Sequence, residues 1–142
     1  MNTTGLKRED PLRVKSFNFA VRIVRLSKYL VEEKKEFVIS KQILRCGTNP
    51  GAMVREAANA ESGADFIHKL AVAQKETGET QYWLELLLAT NYISETEFNS
   101  IMNDSAEVMK LLRSSILTKK RKLGIIATVF ILAVVSTLQI IL

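Results

Sequence analysis

The last twenty residues of the chain, 123–142, contain no charged side chain and are rich in Ile, Leu and Val. As an α-helix, such a segment is about 30 Å long, which matches the hydrocarbon thickness of a bilayer. The basic residues Lys119, Lys120, Arg121 and Lys122 directly precede it, as expected on the cytoplasmic side of a transmembrane helix. We therefore expect a C-terminal membrane anchor. The alternatives are a helix buried in an oligomer interface and a non-native extension of the reading frame.

Residues 1–118 have the length and composition of one all-α domain. The whole chain contains only two prolines and six glycines among many Ala, Leu, Glu and Lys residues, which favours helix. Short connections between long helices favour antiparallel neighbours. We predict an antiparallel up-down four-helix bundle at 1–118, a basic flank at 119–122 and the apolar transmembrane helix at 123–142. Residues 1–16 are polar and lack the apolar run of a signal peptide, so the bundle is expected to stay in the cytoplasm.

The first predicted helix starts at Pro11, with Asp10 as its N-cap, and runs to about Lys35. Two adjoining apolar stripes at helical spacing predict a broad buried face on this helix. The stripes consist of Phe17, Ala20, Val21, Val24 and Val31, and of Phe19, Ile23, Leu26 and Leu30.

The second predicted helix begins between Phe37 and Ser40, runs to about Ala60 and contains Pro50. Proline inside a helix removes one backbone hydrogen bond, so this segment is expected to be a kinked helix or, as the alternative, two separate helices. Gly47 and Gly51 are expected to let a neighbouring helix approach closely.

The third and fourth predicted helices have clear start signals. Ser62 with Asp65, and Ser94 with Glu97, are spaced as capping pairs. The third helix is expected to run to about residue 91, and its polar middle, 74–81, predicts close packing at Gly78 or a polar network.

The residues that could carry chemistry do not form a catalytic pattern. Asp65 and His68 have the spacing of one half of a di-metal bundle site, but the chain has no second histidine. Glu76 and Glu79 are interpreted as partners of Arg45, Arg55 or Lys69 in a salt-bridge network. We expect Cys46, Tyr82 and Trp83 to serve helix packing. No enzyme activity, cofactor, metal or small-molecule substrate is predicted.

The formal net charge of +5 is concentrated near the apolar tail, because residues 1–118 together have a net charge of only +1. A pI near 9.4 would indicate nucleic-acid binding if the positive charge were spread over one face. The side chains that could contact phosphate or lipid are Lys15, Arg22, Arg25 and Lys28 on the first helix, and Lys119, Lys120, Arg121 and Lys122 before the tail.

The stretch from Ser40 to Ile93 resembles the bacterial four helix bundle protein family, over a similarity that covers roughly residues 14–118. That family is related to proteins encoded in intervening sequences of large-subunit ribosomal RNA and to the accessory variability protein of diversity-generating retroelements. The matching residues are Gln42, Arg45, Gly47, Thr48, Arg55, Glu56, Ala57, Ser62, Asp65, Phe66, His68, Lys69, Leu70, Lys75, Glu76, Glu79, Thr80, Trp83 and Leu84. The apolar tail is not part of the family pattern.

The resemblance implies an antiparallel four-helix bundle that assembles into a homo-oligomeric ring, commonly a pentamer. For the retroelement relative, it implies binding of a reverse transcriptase and nucleic acid through a basic surface. Our leading hypothesis is a non-enzymatic, self-assembling scaffold or adaptor, tail-anchored at the bacterial inner membrane with its bundle in the cytoplasm. The alternative is a cytoplasmic RNA- or DNA-binding accessory protein of a ribonucleoprotein or reverse transcriptase system. A protein partner would fit either role.

Overall fold

A computed structural model describes residues 9–141 of the chain, so the first eight residues of the predicted bundle and Leu142 lie outside the described residues. This range contains four helices and no strand: α1 (Pro11–Glu32), α2 (Ile39–Ala58), α3 (Gly63–Ala89) and α4 (Glu95–Ile141). Each helix packs on the next one along the chain, and α1 packs on α4, which closes the bundle. The predicted all-α class is confirmed.

Contacts between neighbouring helices run in opposite sequence order, as an up-down bundle requires. On α1 and α2, Ile23 lies against Gly47, whereas Ser16, earlier in α1, lies against Gly51, later in α2. The other three pairs of helices show the same reversal. Their contacts are Arg45 with Glu79 and Glu56 with Lys69, Gln81 with Ser105 and Gly63 with Leu123, and Lys15 with Glu107 and Arg22 with Asp104.

The three helix starts predicted from capping residues are present. The Asp10 carboxylate accepts a hydrogen bond from the Leu12 N–H at 3.0 Å, and the Ser62 hydroxyl accepts one from the Asp65 N–H at 3.0 Å. Ser94 and Glu97 form the reciprocal box, in which the Ser94 N–H donates to Glu97 at 2.8 Å and the Glu97 N–H donates to the Ser94 hydroxyl at 3.2 Å. Each cap satisfies backbone donors that the first turn of a helix leaves free.

The start of α2 depends on Glu36, a role that the sequence analysis missed. Its carboxylate accepts hydrogen bonds from the N–H groups of Val38 and Ile39, both at 2.9 Å, and of Ser40 at 2.6 Å. Burial acts to raise the pKa of Glu36, but the backbone N–H donors outweigh it and hold this pKa below its usual value. The ionised carboxylate thus replaces the Ser, Thr or Asp cap that the sequence lacks here.

Helix α2 continues through Pro50 without a break, so the alternative of two separate helices is wrong. The two glycines do permit the close approach that was predicted. A Cβ atom on Gly47 would lie 2.7 Å from the Ile23 side chain, and one on Gly51 would lie 3.3 Å from the Ser16 carbonyl oxygen. Helix α1 is therefore packed directly on the α2 backbone at these two glycines.

The broad apolar face predicted for α1 is only half correct. The stripe with Phe19, Ile23, Leu26 and Leu30 is buried in the core, as are Leu12 and Ser16. The adjoining stripe is not buried in the core: its Phe17 and Val24 are 52% and 37% exposed, and its Ala20, Val21 and Val31 are half-buried. The reason is geometric, because α1 has only α2 and α4 as neighbours and a single stripe suffices to face them both.

The chain between the bundle and the apolar tail contains no loop. Helix α4 runs unbroken for 47 residues, through the basic flank and into the apolar segment. Residues 118–123 contain no proline or glycine, and Lys and Arg are good helix formers. The predicted bundle helix and the predicted tail helix are therefore one continuous helix.

Candidate functional site

The bundle holds α4 as far as Leu123. The Leu123 side chain lies against Gly63 at the start of α3, where an added Cβ would be only 2.8 Å from it. One turn earlier, the Lys119 ammonium lies 5.3 Å from the centre of the Phe66 ring. A cation over an aromatic ring at an exposed site contributes about 0.5–1 kcal/mol. These two contacts fix the direction in which α4 leaves the bundle.

Beyond this point the helix projects away from the bundle. Every side chain from Ile125 to Gln139 is exposed, and nine of these side chains are large and apolar. These nine are Ile125, Ile126, Val129, Phe130, Ile131, Leu132, Val134, Val135 and Leu138. Among the described residues, α4 is the single helix long and apolar enough to cross a membrane, and none of its most apolar stretch is buried.

The few polar groups of the projecting segment are satisfied within the helix. The Thr128 hydroxyl donates to the Gly124 carbonyl at 2.9 Å, and the Thr137 hydroxyl donates to the Ala133 carbonyl at 2.8 Å. Backbone groups along the segment are bonded in the α-helix. This is the condition that a nonaqueous environment imposes on a chain.

The basic flank surrounds the helix at the boundary between the two parts. Lys120, Arg121 and Lys122 are exposed, and within residues 9–141 none of them is in an ion pair. Consecutive residues of a helix are about 100° apart, so the three cations point in different directions around the axis. We call these three residues the basic collar.

The basic residues predicted on the first helix fall into two classes. Lys15 is paired with Glu107 of α4 at 3.1 Å. Arg22 is paired with Asp104 and also donates to the Ser100 carbonyl oxygen at 3.1 Å. Arg25 and Lys28 are exposed, and neither is in an ion pair in the part of the chain that the structure describes. Two of the four basic side chains predicted on α1 thus hold α1 to α4.

The predicted carboxylate network is present, with Arg45 as its cation. This guanidinium contacts Glu79 and, at 3.4 Å, Glu76, and the hydrogen bond and charge of Glu79 raise the pKa of Arg45. The Trp83 indole N–H donates to the same Glu79 carboxylate at 3.2 Å. The network therefore joins α2 to α3 across the bundle surface.

Comparisons with known proteins agree with this architecture. The family model of the 23S rRNA-intervening sequence protein matches residues 12–114. The chain belongs to this family. A solved structure, of a protein with unknown function from the S23 ribosomal protein family of Bacteroides thetaiotaomicron, is 60% identical and superposes with a TM-score of 0.73. That match covers 74% of this chain and 94% of the relative. No curated protein matches.

The family region ends five residues before the basic flank, so it covers the bundle and not the projecting helix. The resemblance inferred from the sequence is thereby confirmed for the bundle. No enzymatic activity is indicated by the family match or by the solved relative, whose function is described as unknown. The projecting part of α4 is therefore the feature that this chain adds to the family region.

The other family-motif residues mostly have structural positions. Lys69 is paired with Glu56 at 2.9 Å, which raises the pKa of Lys69. The Arg55 guanidinium lies 5.3 Å from the centre of the Phe17 ring, so neither Arg55 nor Lys69 joins the Glu76–Glu79 network. Asp65 accepts a hydrogen bond from the Glu61 N–H at 3.3 Å. Gln42 and Lys75 are exposed.

The polar middle of α3 is a network without close packing at Gly78. A Cβ atom on Gly78 would meet nothing within 4 Å, so the close-packing explanation is wrong there. The buried hydroxyls of Thr77 and Thr80 donate to carbonyls one turn earlier, at 2.8 Å each. Thr80 also lies 3.3 Å from the sulfur of Cys46, and burial raises the pKa of that thiol.

Residues 9–141 contain no group of three or more His, Cys, Asp or Glu side chains that could hold a metal ion. A surface cavity with a volume of about 580 Å³ lies at the start of α1, beside Arg13, Phe17 and Arg55. It is open to solvent and lined by side chains of both charges.

Proposed function

We propose that this chain is a non-enzymatic, self-assembling helical-bundle scaffold or adaptor, tail-anchored in the bacterial inner membrane with its bundle on the cytoplasmic side. The observation that carries the proposal is the exposed, uncharged half of α4, which continues the bundle helix without a loop. Burying a large apolar side chain contributes about 1.5–3 kcal/mol. Nine such side chains therefore favour a nonaqueous environment by more than about 10 kcal/mol.

Lipid suits this segment better than a packed partner helix does. Its exposed apolar side chains occupy all sides of the helix, whereas one neighbouring helix covers a single stripe. From Gly124 to Ile141 the segment is about 27 Å long, close to the hydrocarbon thickness of a bilayer. The basic collar before it favours retention of the bundle in the cytoplasm.

Self-assembly is supported by an apolar surface on the outer side of α1 and α2. Phe17 and Val24 are two turns apart on one stripe of α1, and Phe17 contacts Arg55 of α2. Leu44 is eleven residues before Arg55, which is about three helical turns, so it lies on the same stripe of α2. All three apolar side chains are at least 36% exposed. A second copy of the bundle would remove them from water.

The second candidate function is nucleic-acid binding, and the exposed residues Arg25 and Lys28 favour it. Phosphate contacts by these side chains would be sequence-independent and would weaken steeply with salt. The ion pairs of Lys15 and Arg22 with α4 reduce the free positive charge on this face. For that reason we place the scaffold role first.

The proposal is tested by membrane fractionation of the tagged full-length chain beside a variant that ends at Lys122. The matched control is a full-length variant with Lys120, Arg121 and Lys122 replaced by Gln, which keeps the apolar segment. We expect the full-length chain and the control to remain in the membrane pellet after a carbonate wash, and the shortened variant to be soluble. Protease treatment of sealed spheroplasts should leave the bundle intact, because it faces the cytoplasm.

Sizing of the same samples separates the remaining candidates. A soluble full-length chain with the same oligomer size as the shortened variant would contradict the anchor. Salt-dependent RNA binding that is lost in an Arg25→Gln, Lys28→Gln variant would then support the second candidate. A monomeric bundle in both samples would contradict self-assembly alone.

A further inference from the structure

The end of the bundle from which α4 leaves carries a second feature, the turn between α2 and α3. This turn covers residues 59–62 and leads into α3 at Gly63. Because Leu123 lies against Gly63, the turn is level with the first residues of the apolar segment. Asn59, Glu61, Ser62 and Ala64 are exposed at this end.

The position of this turn along the axis of α4 is fixed relative to the apolar segment, because α4 is one continuous helix. Lys122 and Leu123 are consecutive in α4, and each residue adds about 1.5 Å of rise. No flexible residue separates the collar from the bundle, since Lys119 is held at the Phe66 ring and Leu123 at Gly63. A bilayer around the apolar segment would therefore meet the collar and the α2–α3 turn together.

The basic collar gives this end of the bundle exposed positive charges, which attract a negatively charged surface. Lys120, Arg121 and Lys122 point around the helix and are free of ion pairs in the described residues. The turn itself adds the exposed carboxylate of Glu61, and the Asp65 carboxylate at the start of α3 accepts a hydrogen bond from the Glu61 N–H. The attraction to a negatively charged surface therefore comes from the collar. Basic clusters next to a transmembrane helix bind anionic lipid with about 1 kcal/mol for each Lys or Arg, which is about fivefold in affinity per residue.

We propose that the collar and the α2–α3 turn form a lipid-binding end face, which holds the bundle directly on a layer of anionic phospholipid headgroups. This inference rests on the proposed membrane anchor and adds its lipid preference and the orientation of the bundle. The bundle then stands with the α2–α3 turn in the headgroup layer and the α1–α2 turn at the far end. The other source of phosphate, a nucleic acid, is an outcome that the test distinguishes.

The experiment uses the full-length protein in vesicles, with a spin label at Ala64→Cys on the end face. A matched control carries the label at Thr96→Cys, an exposed position at the start of α4 and the opposite end of the bundle. The native Cys46 is fully buried and its thiol pKa is raised, so the label goes to the introduced cysteine. Collision with a water-soluble relaxing agent is measured in phosphatidylcholine vesicles with and without phosphatidylglycerol.

We expect the label at position 64 to lose several-fold in collision rate when phosphatidylglycerol is present, and the label at position 96 to be unaffected. The loss should disappear at high salt and in the Lys120→Gln, Arg121→Gln, Lys122→Gln variant. A Gly-Ser-Gly-Ser insertion between Lys122 and Leu123 should also restore the collision rate at position 64, because it releases the bundle while keeping the anchor.

Failure of the anchor and failure of this inference give different results. A chain that carbonate removes from the vesicles would overturn the anchor itself. A chain that resists carbonate but keeps equal collision rates at positions 64 and 96 would overturn the end face alone. Equal protection in neutral and anionic vesicles would refute the lipid preference, as would release of the label by added RNA.

Discussion

The two halves of α4 use the same backbone structure for opposite purposes. In the bundle half, Glu95–Leu123, buried apolar side chains recur at helical spacing, as in Ile101, Val108, Leu112 and Ile116. Charged residues lie between them. In the projecting half, from Gly124, apolar residues fill every side and all described side chains are exposed. Periodicity thus identifies the half that packs on protein, and its loss identifies the half that needs another solvent.

The strongest way to separate the two halves is to remove one large side chain from each. Leu112→Ala should lower the free energy of unfolding of the bundle by about 2–5 kcal/mol, because Leu112 is fully buried. Leu132→Ala should leave it unchanged, because Leu132 is 64% exposed in the projecting half. Thermal unfolding of the full-length protein in detergent measures both. Equal losses would mean that the projecting half packs on the bundle.

A lysine introduced into each half should have the opposite pattern of effects: it should weaken membrane partition when placed in the projecting half and leave it unchanged when placed in the bundle half. Leu132→Lys puts an ammonium at the middle of the apolar segment, which costs about 3 kcal/mol at the centre of a bilayer. We expect membrane partition to fall roughly a hundredfold. Leu117→Lys is the matched control, since Leu117 is 49% exposed in the bundle half. Carbonate fractionation compares the two, and a pellet that holds both variants equally would contradict a spanning helix.

Acid should weaken the bundle without affecting the projecting half, which has no titratable side chain. The pKa of Glu36 is lowered in the folded state. Its contribution is therefore fully present above the unfolded pKa of about 4.3 and is lost as the pH falls through the lower folded value. Glu36→Gln should lower the free energy of unfolding by about 1 kcal/mol at neutral pH.

The difference between Glu36→Gln and the unmodified chain should vanish in strong acid, where the native carboxylate is also neutral. Glu33→Gln is the control, because Glu33 is exposed in the same turn and its side chain caps nothing. Chemical unfolding curves at neutral and acidic pH give these values. A constant difference across the pH range would show that charge is irrelevant to the cap.

The smallest expected effects on stability come from substitutions of two glycines, Gly63 and Gly124, near the boundary between the two halves of α4. A Cβ atom on Gly124 meets nothing within 4 Å, so Gly124→Ala should stabilise the helix by about 0.5–1 kcal/mol. Gly63→Ala would bring a Cβ to 2.8 Å from Leu123 and displace it. Hydrogen exchange of residues 118–126 should slow in the first variant and quicken in the second. The same sign in both would mean that Gly63 does not hold α4.

The caps at Asp10, Ser62 and Ser94 could be predicted because each depends on residues within one helical turn. Glu36 was missed because a glutamate three residues before a helix has no distinctive signal, and its role depends on a turn that folds back. The partial exposure of the second apolar stripe of α1 was missed for another reason. Periodicity shows which residues are apolar, but the number of neighbouring helices decides how many stripes are buried.

The residues of the candidate site could be predicted from the sequence, but the contacts that join them to the bundle could not. The uncharged run and the basic residues before it are visible in the sequence, whereas the contacts of Leu123 with Gly63 and of Lys119 with Phe66 join residues about sixty and fifty positions apart. Likewise, the pairing of Lys15 and Arg22 with α4 is long-range. Such pairings depend on the relative height of packed helices, which a single sequence does not specify.

Because α4 contains no loop between Glu95 and Ile141, it also fixes the rotation of the bundle about the axis of α4 relative to the anchor. Each residue of a helix turns the chain by about 100°, so one residue inserted after Lys122 would swing the whole bundle by that angle about the axis of α4. Two inserted residues would turn the surface that bears Phe17 and Val24 almost to the opposite side. In a ring of anchored copies, the number of residues between bundle and bilayer would decide which faces meet.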